Sequence, residues 1–168
     1  MRAKARVLGA LRRTAFDVLV SDIQMPRMSG VALRERFASW VAAHCDPSLR
    51  LRCLVRAPLD AADSVIQFGC PHGSLCQELE KLGPDAPLAK AGTRLLGVYI
   101  EWVEEQFRAL GFGRREARAL ATDLVAAVQG TMLIAHTMRS KPLLTKQLRR
   151  VERWLDDTPS SPRPRSHS

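Results

Sequence analysis

Aromatic side chains are scarce in this chain: they make up 5% of its 168 residues, and only one is a tyrosine. Sheets draw heavily on aromatic and β-branched residues, whereas the Ala, Leu and Arg that dominate here lose little on entering a helix. The four cysteines, Cys45, Cys53, Cys70 and Cys76, contain no CxxC pair. That argues against a disulfide framework and for reduced thiols in the cytoplasm. No apolar run approaches the ~18 residues needed to span a bilayer, so no membrane partner is expected. Near the start, Val7 to Leu11 is too short a stretch between basic residues to be a signal-peptide core. There is no glycine-rich phosphate loop, no Ser/His/Asp order and no carboxylate pair with a plausible pocket. Neither catalysis nor a cofactor is therefore expected.

One charge sign is in excess, with 26 Lys and Arg against 17 Asp and Glu, a net +9. Such a charge concentrates anionic partners without showing specific binding. The excess is dispersed between an acid-free start (Arg2, Lys4, Arg6, Arg12, Arg13) and one late helix (Lys146, Arg149, Arg150, Arg153). Each reads more simply as a solvated face than as a non-specific nucleic-acid site.

Hydrophobic residues account for 46% of the chain, enough for a globular core. Asp46-Pro47 is a good helix start, and Leu49 to Arg56, alternating apolar and basic, could pass for a short strand. Pro58 is expected to end, kink or restart the helix that follows. After the tight connection Gly69 to Gly73, Ser74 and Gln77 resemble a capping box opening a helix with Leu75, Leu79 and Leu82 on its apolar face. From Leu88 to Leu110 the apolar residues Leu95, Tyr99, Trp102, Val103, Phe107 and Leu110 recur every three or four positions, as on a long amphipathic helix. Gly111 and Gly113 stop it.

The next segment is apolar nearly all round: between Leu124 and Ala135 only Gln129 and Thr131 are clearly polar. Such a helix needs cover on two sides, one by its own core and one by another surface, plausibly a second subunit. Ser140 and Pro142 open a last helix with Leu144, Leu148, Val151 and Leu155 on one stripe. Thr158 to Ser168, rich in Ser, Pro and Arg, reads as a disordered tail. The expected fold is an all-α bundle from about residue 45 to 157, preceded by an irregular segment, 1–44, with one short strand.

Phe68-Gly69-Cys70-Pro71-His72-Gly73-Ser74-Leu75-Cys76-Gln77-Glu78-Leu79 resembles the stretch that joins two helices in the C-terminal domains of TetR/AcrR-type regulators. The likeness continues through Ile100 to Phe107, through Val128-Gln129-Gly130, and into Leu148 to Leu155. The resemblance implies a homodimer in which the two final helices pair with their copies, through Leu124, Val128, Met132, Leu144, Leu148, Val151 and Leu155. It also implies a pocket for a small hydrophobic or aromatic effector, lined by Tyr99, Trp102, Gln129, Met132 and His136. The helix-turn-helix that normally precedes such a domain is not legible in 1–44. The expectation is thus a truncated regulator, the sensing and dimerising part without specific DNA binding of its own.

A second resemblance covers Phe16 to Val31, where Asp22-Ile23-Gln24-Met25-Pro26-Arg27-Met28-Ser29-Gly30 is similar to the phospho-acceptor segment of response-regulator receiver domains. It makes Asp22 a candidate phospho-acceptor and a phosphorelay protein the alternative function. A carboxylate nucleophile of this kind needs a divalent cation held by further acids. Only Asp17 precedes Asp22, and Arg56 stands where a hydroxyl residue belongs. Cys70, His72 and Cys76 fall within seven residues but lack a fourth ligand, so no zinc site is expected.

Overall fold

The computed structural model describes residues 30–83 and 85–158. Seven helices occupy them: α1 (Gly30–Ala43), α2 (Pro47–Asp60), α3 (Ala62–Phe68), α4 (Pro71–Glu80), α5 (Pro87–Ala109), α6 (Arg114–Thr137) and α7 (Lys141–Asp157). Among the described residues there is no strand, so the fold is all-α as expected. Asp22 with the rest of the receiver-like motif before Gly30, and the tail beyond Thr158, lie outside the described residues.

The alternation from Leu49 to Arg56 does not make a strand. Asp46 caps α2 by accepting from the Ser48 N–H at 2.8 Å, with Pro47 in the first turn. Leu51, Leu54, Val55 and Pro58 then recur at helical spacing and are all buried. The basic residues between them lie on the outer side, where Arg52 pairs with Asp156 and Arg56 with Glu152 of α7. Pro58 stays inside α2, which runs on to Asp60 before Ala61 separates it from α3.

The helix expected from Ser74 opens three residues earlier. Pro71 sits in its first turn and Cys70 takes the cap position, its Sγ accepting from the Gly73 N–H at 3.4 Å. His72 and Cys76 are its buried residues, while Leu82 is exposed. Gly69 makes the bend before it at φ +77°, and a Cβ there would lie 3.4 Å from the His136 ring. Both the left-handed backbone and the close approach favour glycine.

The core is one cluster in which α5, α6 and α7 meet α2, centred on Leu51, Val55, Val103, Phe107, Leu124, Leu144 and Leu148, all at most 1% exposed. Helix α1 belongs to it as well, through Leu33 and Phe37. The packed unit therefore reaches upstream of residue 45, where the sequence suggests a boundary. Phe37 stacks on Trp102 with ring centroids 4.4 Å apart, and Trp40 leans on both. By length and composition α6 could cross a membrane, with a mean hydropathy of 1.3 over an 18-residue window, although no uninterrupted apolar run suggested it. Its inner side is core, and its outer side is open.

Candidate ligand cavity

Helices α1 to α6 converge on a cavity of about 90 Å³. The walls are mostly apolar: Leu33 and Trp40 from α1, Leu54, Ala57 and Pro58 from α2, Val65 from α3, and Val125, Val128 and Met132 from α6. The turn Gly69-Cys70-Pro71 closes one end. Because α2 ends at Asp60 and α3 at Phe68, the chain bends twice beside this cavity.

Few polar groups reach the lining: Arg36, Ser64, His72, Tyr99 and Gln129. His72 is 2% exposed, and its Nδ1 lies 2.9 Å from the Tyr99 hydroxyl. Its Nε2 is buried and has no partner. Burial, and secondarily the positive charge of Arg36, lowers the pKa of His72 from 6.5 to about 4, so the ring is neutral at pH 7. Burial likewise pushes the Tyr99 phenol well above its ordinary value, keeping it protonated. Burial also raises the Cys70 and Cys76 thiols. Cys76 Sγ donates to the Gly92 carbonyl at 3.3 Å. Cys70, His72 and Cys76 thus engage three different neighbours, and among the described residues no three His, Cys, Asp or Glu side chains gather as a metal set.

Of the effector contacts implied by the resemblance, Tyr99, Gln129 and Met132 line the cavity. Trp102 sits behind it in the aromatic stack. His136 lies on another side of α6, its Nδ1 3.1 Å from the Ile66 carbonyl oxygen, in a separate depression of about 260 Å³ with Ser74, Gln77 and Leu133. In the sequence alone His72 stands out only beside Cys70 and Cys76, as a metal-ligand candidate. Its partner Tyr99 stands 27 positions away, a distance across which periodicity within single helices shows nothing.

The residues expected at a subunit interface are mostly inside the chain's own core. Leu124, Val128, Met132, Leu144, Leu148 and Leu155 are buried there, at 8% exposure or less. Each projects from the inner side of α6 or α7, so a second copy would not reach it. Val151 is half-buried and lines an open groove between the two helices. That groove is formed by Asp123, Ala126, Ala127, Gly130 and Ile134 of α6, with Leu143, Gln147, Arg150, Val151 and Trp154 of α7. Ile134 in the groove is exposed, as are Leu133 and Met138 on the same stretch of chain.

Comparison with known proteins adds one finding. The family model described as the C-terminal domain of LmrA/YxaF-like transcriptional regulators matches residues 52–151, from early α2 to late α7. No curated protein matches the chain.

Proposed function

The chain belongs to the family of LmrA/YxaF-like transcriptional-regulator C-terminal domains, and from that premise we propose that it is the effector-sensing and self-associating part of a TetR-like regulator. The observation that carries the sensing role is the apolar cavity with few polar groups, a composition suited to a small hydrophobic or aromatic molecule. At about 90 Å³ it is tighter than the pockets of drug-sized ligands, so a larger effector would have to spread the helices around it. Binding would then favour one arrangement of the helices over another, which is how an effector shifts a regulator's population. The self-associating role rests on the open groove of α6 and α7, whose small residues Ala126, Ala127 and Gly130 would let a second pair of helices approach closely. Such a domain would work in the cytoplasm, where its four free thiols remain reduced.

A calorimetric screen of small aromatic and alicyclic compounds tests the sensing role. At least one class should bind, and Ala57→Leu, which fills the cavity from α2, should abolish that binding while the chain still unfolds cooperatively. Binding that survives Ala57→Leu would place the effector elsewhere. Sedimentation equilibrium tests the other role: the chain should be a dimer, and Gly130→Arg a monomer.

A further inference from the structure

His72 lines the cavity and its Nε2 is buried with no partner, and what neighbours Nδ1 decides whether that atom donates or accepts. A neutral imidazole carries one N–H, on either nitrogen, and the neighbour of the other nitrogen selects between them. If Nδ1 carried the proton and donated to Tyr99, the Tyr99 O–H would be left without an acceptor, since among the described residues its hydroxyl has no other partner, and Nε2 would keep a bare lone pair. If instead the Tyr99 O–H donates to Nδ1, both of those atoms are satisfied, and the sole unmet group is an N–H on Nε2. A buried polar group without a partner is destabilising, so the second arrangement, with one unmet group instead of two, is preferred. The raised pKa of Tyr99 agrees with it, since a protonated phenol can donate.

We propose that His72 Nε2–H is a fixed hydrogen-bond donor in the cavity, and that the effector is a small apolar molecule bearing a hydrogen-bond acceptor, a carbonyl oxygen or its equivalent, which that N–H selects. The proposal rests on reading this cavity as the effector site. Tyr99 is then a positioning residue: it reaches the ligand only through the tautomer it imposes on His72. The apolar walls from Val65, Val128 and Met132 contribute affinity without discriminating between compounds of the same shape. Discrimination falls to the one donor, because an equally shaped molecule without an acceptor leaves Nε2–H buried and unpaired.

Two probes of nearly equal shape separate these contributions: acetophenone, and α-methylstyrene, in which a CH₂ group replaces the carbonyl oxygen. Titrated into the ¹⁵N-labelled chain, acetophenone should bind about tenfold or more tightly than its analogue. His72→Phe should bring the two affinities together by weakening acetophenone alone. The imidazole ¹⁵N signals of His72 should show a protonated Nε2 in the free protein and a shift when acetophenone binds. Tyr99→Phe keeps the ring and removes the hydroxyl, so it should let the other tautomer appear and reduce the preference, which a purely structural role for Tyr99 would not do. Equal binding of the two probes to the unaltered chain, or a free protein protonated at Nδ1, would overturn the donor while leaving the cavity a ligand site. Failure of both probes to perturb any cavity residue would remove the ligand site and the donor with it.

Discussion

Helix α6 has two apolar sides made from much the same residue types, and the fold uses them in opposite ways. On the inner side Leu124, Val125, Val128, Met132 and Ala135 are buried, part in the core and part against the cavity. On the outer side Leu133 and Ile134 are each 53% exposed, beside Ala126, Ala127 and Gly130. Isolated exposed apolar residues are ordinary, but apolar residues gathered along a groove between two helices fit the self-association proposed above. The inner side thus bears on the stability of one chain, and under the proposed self-association the outer side bears on the pairing of two.

The largest expected effect belongs to the inner side. Leu124→Ala should cost about 3–4 kcal/mol in denaturant unfolding, because the site is fully enclosed and the cavity left behind cannot collapse. A cost below about 1 kcal/mol would mean that the inner packing is loose and the contrast with the outer side false.

His72 sharpens the contrast through pH. In the fold it gains a proton only near pH 4, against 6.5 ordinarily. Between those values the unfolded chain binds the more protons, so stability is full above about 6.5, falls as pH falls, and has lost its whole contribution below about 4. The loss is of order 3 kcal/mol at most. Unfolding midpoints followed from pH 7 downward should show it, and His72→Phe should flatten the profile in that window.

A smaller effect is expected at the end of α6. Arg139→Ala removes donors to the Ile66 and Gln67 carbonyls, at 2.8 and 3.1 Å, and leaves the backbone at φ +50°. It should cost about 1–2 kcal/mol, and Arg139→Gly somewhat less, since glycine accepts that backbone freely. Smallest of all, Ile134→Ser should change unfolding by under about 0.5 kcal/mol in solution dilute enough to dissociate any dimer. The same substitution should weaken self-association measurably by sedimentation. A stability loss as large as that of Leu124→Ala would show that the outer side is not free.

Much of the bundle was legible in advance. The long amphipathic stripe of α5, the Gly111 stop and the Ser140-Pro142 start of α7 announced themselves through local chemistry. The resemblance through Gly69 to Leu79 pointed to the right family. What escaped depends on contacts distant in sequence. Leu49 to Arg56 fitted two periods, and only burial against α5 and α7 selects the helical one. An all-apolar α6 predicted two covered sides without saying which residues take which side, so the interface was assigned to residues that fill the core. The cavity was half legible: Tyr99, Gln129 and Met132 are there, but His72, at the start of α4, lines it too and carries a buried nitrogen with no partner.

Arg139 has a consequence beyond the stability it contributes. It ties the turn between α6 and α7 to the last carbonyls of α3, while Lys141, two residues on, pairs with Asp63 at the other end of the same short helix. A panel hinged along one edge swings freely, whereas one latched top and bottom to the same post moves only with the post. Helix α3 is such a panel, with Ser64 and Val65 facing the cavity, and its post is the root of α7. If the cavity is the effector site, a molecule that presses on that wall from inside also bears on the helix that borders the outer groove.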